Sequence, residues 1–337
     1  MKILYAASKF DYGIPARGYS FEHYNFYDSL VGMGHEVEYF DFLTLHQEFG
    51  REGMSRLLEQ RVKEVRPDLM FTFLYKDEFD PAVIRRITAQ GRTTTFNWFA
   101  DDHWRFDDFS RLWAPCFTYV STTDADSLPK YRAIGYERVL LTQWGANPRF
   151  YVRKDVPPRY DVSFVGQSYG DRPEVVRQLH AAAIAAYVRG TGWKSRWWHR
   201  HARRLHLMSA GRLQQIAGST RISQEEMIEL FNVSRINLNL SASSQSGANQ
   251  IKGRNFEIPA CGGFQLSGMA SRLEDFFVPD REVVTYGTTR EMIEKIRFYL
   301  AHEDERRNIA EAGYARVLRD HTYERRLRDL FQKMGLE

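Results

Sequence analysis

Along the first half of the chain, short apolar runs alternate with stretches that are apolar on one side only, the pattern of βαβ units around a parallel sheet. The runs predict strands over Ile3 to Ala7, Glu36 to Phe42, Leu69 to Leu74, Thr94 to Phe99, Thr118 to Ser121 and Val139 to Thr142. Between them, Glu22 to Met33, Met54 to Val65 and Asp80 to Ala89 read as helices, the last opened by Asp-Pro. A second series follows the proline-rich stretch 156–160. It predicts a strand over Asp161 to Val165, a glycine-containing loop from Gly166 to Pro173 and a helix from Glu174 to about Ala183. Further strands are expected over Ala186 to Arg189, Ile236 to Leu240, Gly263 to Ser267 and Val283 to Tyr286. From Thr289 to Leu330 the periodicity is helical, with Met292, Ile293, Ile296, Tyr299 and Leu300 on one face. The pattern gives an α/β protein of two doubly wound domains, 1–155 and 156–318. Ligands of such folds sit at the carboxyl ends of the strands.

The chain has 337 residues, with 43% hydrophobic and 27% charged positions, which is the balance of globular domains rather than of disorder. No apolar run reaches the length of a membrane span, and the opening Met1 to Ser8 reads as a strand rather than a signal peptide. Cys116 and Cys261 are the only cysteines; neither disulfide nor metal spacing is present. The expected address is the cytoplasm. A net charge of +4 does not by itself imply nucleic acid, and suits small polyanions or an anionic membrane face.

The stretch from Lys252 to Phe264 concentrates chemistry. Lys252 and Arg254 supply cations, Glu257 a carboxylate, and Gly262 and Gly263 a glycine turn. Cations and backbone N–H groups bind phosphate oxygens, and a carboxylate accepts hydrogen bonds from ribose hydroxyls. The combination points to a nucleoside diphosphate. Gly166, Gln167 and Ser168, with Arg172 on the same turn, read both as further phosphate contacts and as a plain strand-to-helix loop. Phe99 to Trp104 gathers Asp101, Asp102 and His103 after a strand, a place for a general base, with Asp101 or Asp102 first and His103 third; the competing reading is one helix cap and one solvated acid. From Trp193 to Arg204, three tryptophans and five basic residues form a strip that suits an anionic membrane face or simply a solvated basic helix.

The wording from Arg254-Asn255-Phe256-Glu257 through Ala260-Cys261-Gly262-Gly263-Phe264 resembles the donor-binding segment of GT-B glycosyltransferases, and within them the CgeB-like family. The resemblance implies two Rossmann-like domains facing a cleft and a helix over 319–337 that returns to the first domain. It implies transfer from a UDP-, GDP- or dTDP-sugar, as co-substrate rather than cofactor, to a saccharide, lipid-linked or protein acceptor, without a metal. In it, Glu257 takes the place of the ribose-binding glutamate, and the loop Phe10 to Tyr19 lies where acceptor contacts fall. Such enzymes work in cell-surface glycan synthesis at the inner membrane face. An epimerase on the same fold and a turnover-silent nucleotide-sugar-binding protein are the alternatives. The resemblance departs from the retaining pattern of two glutamates, because the position eight before Glu257 is Asn249.

Overall fold

The computed structural model describes residues 1–194, 201–202, 204–209, 220–243 and 249–337. The basic, tryptophan-rich strip therefore lies largely outside the described residues. The chain divides into two compact units, Met1–Phe150 with Thr322–Glu337, and Tyr151–His321.

The first unit holds a six-stranded sheet, parallel throughout, in the order β2-β1-β3-β4-β5-β6. The strands are β1 (Lys2–Ala7), β2 (Glu36–Asp41), β3 (Leu69–Thr72), β4 (Thr94–Trp98), β5 (Tyr119–Thr122) and β6 (Val139–Leu141). Ile3, Leu4, Tyr5, Ala6 and Ala7 are all fully buried, as a central strand covered on both faces must be. The helix expected over Glu22 to Met33 is present in two parts. A π-helical turn, His23–Tyr27, precedes the helix Asp28–Gly32. The next helix starts at Phe42 rather than Met54 and runs to Val65, broken at Gly50 with φ 64°. Asp80 caps the helix Pro81–Ala89 by accepting from the Ala82 N–H at 2.9 Å.

The helix Tyr323–Met334 belongs to this unit. Thr322 caps it, and Tyr323, Leu327, Leu330, Phe331 and Met334 bury a single face in the same core as Phe26, Phe71 and Trp98. The Phe26 and Tyr323 rings lie 4.8 Å apart.

The second unit holds a five-stranded parallel sheet in the order β11-β10-β9-β7-β8. These strands are β7 (Tyr160–Val165), β8 (Ala186–Arg189), β9 (Ser234–Asn239), β10 (Gln265–Gly268) and β11 (Val284–Tyr286). Helices Arg172–Ala181, Gln224–Asn232, Thr289–Ala301 and Glu303–Asp320 accompany them. The Gln224–Asn232 helix opens with a reciprocal cap between Ser223 and Glu226. Between β9 and β10, the helix Arg254–Ala260 is fastened to the sheet by polar groups. The Asn255 and Asn239 amides both donate to the Ser267 hydroxyl at 3.2 Å, and the Lys252 N–H donates to Asn255 Oδ1 at 2.9 Å. Because all three side chains are buried, loss of one partner would strand the others.

Candidate functional site

Each sheet has a point where the winding reverses. In the second unit β8 and β9 lie on opposite sides of β7, so the loops after β7 and β9 diverge there and leave a crevice at their carboxyl ends. The residues gathered at that point are Tyr169 and Arg172 from the first loop, and Lys252 from the second. Lys252 Nζ donates to the carbonyls of Leu240 (2.9 Å) and Ala242 (2.7 Å) and lies 3.3 Å from the Tyr169 hydroxyl. The Tyr169 hydroxyl donates to the Ala242 carbonyl at 3.1 Å. Arg172 lies 3.8 Å above the Tyr169 ring and donates to the carbonyls of Gln167 (3.0 Å) and Leu240 (3.1 Å).

No carboxylate pairs with Arg172, Lys252 or Arg254 among the described residues. Burial pushes Lys252 down to about 6, reinforced by repulsion from Arg172 and Arg254, and pushes Arg172 down to about 10. The Arg254 guanidinium contacts the Met227 sulfur at 3.7 Å, and its Nε–H finds no acceptor among the described residues. One turn on, Glu257 is almost fully buried. Burial raises its pKa, opposed by the charge of Arg254 and by a hydrogen bond with Tyr151.

Four sequence expectations need correction. Gly262 and Gly263 stand at the far end of the Arg254–Ala260 helix, about 10 Å along it from Arg254, at the amino end of β10. They do not approach a ligand at the crevice. Gly262 has φ 70° and takes the left-handed turn that ends the helix, and a Cβ at Gly263 would come 2.8 Å from Asn237 Nδ2. The N–H groups of Gly166 and Ser168 donate to the carbonyls of Arg189 and Thr191, each at 2.9 Å, so neither is available to phosphate. Gly166 is required for a different reason: a Cβ there would sit 2.5 Å from Phe164. The ammonium of Lys252 does not stand open to a ligand either, because the two carbonyls and the tyrosine hydroxyl occupy it.

In the first unit, Asp101, Asp102 and His103 follow β4. Asp102 is fully buried and accepts hydrogen bonds from the Ser110 and Tyr131 hydroxyls, the latter at 2.8 Å. This is the fourth correction: Asp102 is an internal tie, closed to a substrate hydroxyl. The Asp101 carbonyl accepts from the Trp104 and Arg105 N–H groups, while its side chain caps nothing. His103 is half-buried, and burial lowers its pKa.

The model of the family described as "Glycosyl transferase-like" matches residues 171–332. The spore protein CgeB of Bacillus subtilis is 20% identical over 216 residues, 61% of this chain and 64% of that protein. The chain is CgeB-like and of GT-B fold. Among solved structures, Anabaena HepE in complex with UDP-glucose superposes with a TM-score of 0.61 at 12% identity, covering 99% of both chains. A glycosyltransferase from Rickettsia africae gives 0.62 at 12% identity, covering 98% of this chain and 97% of its own. Sucrose-phosphate synthase from Thermosynechococcus elongatus gives 0.62 at 12%, covering 99% of both. At such identity these structures speak for the fold alone.

The glycosyl transferase-like segment begins at Asp171, beside Arg172, and contains Lys252, Arg254 and Glu257. The groups that hold these residues, Tyr169, Tyr151, Asn255 and Ser267, were not singled out from the sequence. Their roles rest on bonds to residues distant along the chain, and a single tyrosine or serine carries no spacing signal for that. No helix among the described residues is long and apolar enough to cross a membrane. Among the same residues no group of three or more His, Cys, Asp and Glu side chains gathers as a metal site.

Proposed function

We propose that the chain is a nucleotide-sugar-dependent glycosyltransferase whose donor site is the crevice of the second unit. The observation that carries this reading is the collection of Arg172, Lys252 and Arg254 at the β7/β9 winding reversal without a carboxylate pair among the described residues. Burial and the two arginines strip Lys252 of its proton, and a diphosphate is the ligand that would balance the arginines and draw that proton back.

In this reading Arg254 makes the direct contact, since its guanidinium, unlike that of Arg172, is tied to no carbonyl among the described residues. Lys252 and Arg172 hold the crevice open through carbonyl hydrogen bonds and add field. Glu257 accepts the ribose hydroxyls in its deprotonated state, which the neighbouring Arg254 favours. As the glycosidic bond breaks, negative charge grows on the departing diphosphate, where fixed cations stabilise the transition state more than the ground state. No divalent ion is needed for that step. The acceptor is met by the first unit, and the setting is the cytoplasmic face of the membrane, where lipid-linked and cell-surface glycans are assembled.

The test is nucleotide release and sugar transfer from UDP-, GDP- and dTDP-sugars over a panel of monosaccharide and glycolipid acceptors. Turnover with one nucleotide class supports the reading. Saturable donor binding with no release on any acceptor would replace it with a binding protein.

A further inference from the structure

The first unit has its own winding reversal, because β2 and β3 lie on opposite sides of β1. The crevice there is flanked by the loops after β1 and β3, and a buried carboxyl group sits in it. Glu22 opens the helical segment after the β1 loop and is 5% exposed. Its side chain has no ion-pair partner among the described residues. The hydroxyl of Tyr75, from the loop after β3, donates to Glu22 Oε1. Tyr75 itself is 38% exposed, so the pair runs from solvent to an enclosed carboxyl group.

The surroundings hold this arrangement in place. The Tyr75 N–H donates to Glu78 Oε1 at 3.1 Å, and the Lys76 N–H donates to the same carboxylate. The Arg105 guanidinium donates to the Tyr75 carbonyl. From β1, the Tyr5 hydroxyl donates to the Glu22 carbonyl at 3.2 Å. Tyr39 from β2 and Ser20 from the β1 loop complete the wall, both hydroxyls donating to the Ser8 carbonyl. His23 is stacked between Tyr19 and Tyr27, at 4.1 and 4.9 Å, and its Nδ1 is buried without a partner among the described residues. An uncompensated carboxyl group costs stability at such a place. A glutamine would accept the same Tyr75 hydrogen bond without that cost.

We propose that Glu22 and Tyr75 form the proton-accepting site for the acceptor hydroxyl, with Tyr75 as the outward relay and Glu22 as the base. The inference rests on the glycosyl-transfer reading. The acceptor oxygen forms a bond to the anomeric carbon as the bond from that carbon to the phosphate oxygen breaks, and the nucleoside diphosphate leaves with the electron pair. The acceptor's proton passes to the Tyr75 oxygen while the Tyr75 proton passes to Glu22, so the tyrosine ends neutral and the carboxylate ends protonated. Burial pushes Glu22 up to about 7, where a base is half-ready at neutral pH. Repulsion from ionised neighbours is not involved: burial holds the Tyr5 and Tyr39 hydroxyls protonated, and His23 is held down to about 4 by burial and by the charge of Lys9. A base that assists direct displacement gives the product with inverted anomeric configuration.

The experiment compares wild type, Glu22→Gln and Tyr75→Phe in the full chain. It measures nucleotide release and product anomer with UDP-glucose, UDP-galactose, GDP-mannose and dTDP-glucose, from pH 5.5 to 8.5. The expected result is an inverted product and a rate that rises with pH around 7. Glu22→Gln should lower kcat about 100-fold or more, leave donor KM unchanged and abolish the pH rise. Tyr75→Phe, which keeps the ring and removes only the hydroxyl, should lower kcat about 10-fold or more, with folding checked by circular dichroism. Full activity with an unchanged pH profile in Tyr75→Phe, or a retained anomer in wild type, would overturn the site while leaving glycosyl transfer intact. A wild type that releases nucleotide from none of the donors would overturn both.

Discussion

The two winding reversals are built on one topological plan and furnished with opposite chemistry. At the β7/β9 crevice the collected groups are cations held by carbonyl oxygens; at the β1/β3 crevice they are a carboxyl group, tyrosines and an imidazole. Burial acts on both and disfavours charge at both. It therefore drives Lys252 down to about 6 and Glu22 up to about 7, so near neutrality the first is mostly uncharged and the second is half protonated. Under the proposed function, the difference would divide a transfer reaction between the two crevices. A site that waits for an anion is electropositive, and a site that waits for a proton is a desolvated base.

Loss of Arg254 is the strongest way to break the contrast. Arg254→Ala should weaken binding of the matching nucleoside diphosphate about 100-fold, the worth of a charge-assisted hydrogen bond or two, and leave thermal stability near wild type. Calorimetric titration checks it. Asp102→Asn tests the internal tie in the first unit. It should cost about 1–3 kcal/mol in chemical denaturation, because one hydroxyl loses its acceptor, with donor affinity unchanged. Gly262→Ala should cost about 1 kcal/mol through its positive φ and also spare donor affinity, since this glycine stands away from the crevice.

The pH slopes, each about 1.4 kcal/mol per pH unit at most, have opposite signs. The unfolded state binds more protons than the native state at Lys252 between about 6 and the ordinary lysine value of about 10.4. Stability of the unliganded protein should therefore rise with pH across that window, and Lys252→Met should flatten the rise. At Glu22 the native state binds more protons between the ordinary carboxyl value of about 4.3 and about 7. Stability should fall as pH rises through that interval, and Glu22→Gln should remove the fall. Urea titrations at pH 5, 6, 7 and 8.5 separate the two.

Much of the fold was legible because buried parallel strands are written as continuous apolar runs. Ala186 to Arg189 was read to the residue, and the strands of both sheets were found within a few residues of their ends. The helix from Phe42 was read twelve residues late because Gly50 interrupts it and its apolar opening, Phe42 to Leu45, continues directly from the strand before it. Among candidate site residues, Lys252, Arg254 and Glu257 stood out because cations and an acid share one short stretch. Glu22 did not, since its partner lies 53 positions away and burial of an acid leaves no mark in local pattern. Asp102 misled for the converse reason: two adjacent acids after a strand look alike in sequence, and only packing around Ser110 and Tyr131 tells the tie from its half-buried neighbour.

The measurement that bears most directly on the account is a calorimetric titration of UDP, GDP and dTDP into wild type and Arg254→Ala, each at pH 7.5 in buffers of differing ionisation enthalpy. The account predicts saturable binding of one nucleotide class, accompanied by proton uptake as Lys252 regains its charge, and about 100-fold weaker in the variant. No binding of any of them to wild type, or equal affinity in Arg254→Ala, would contradict it.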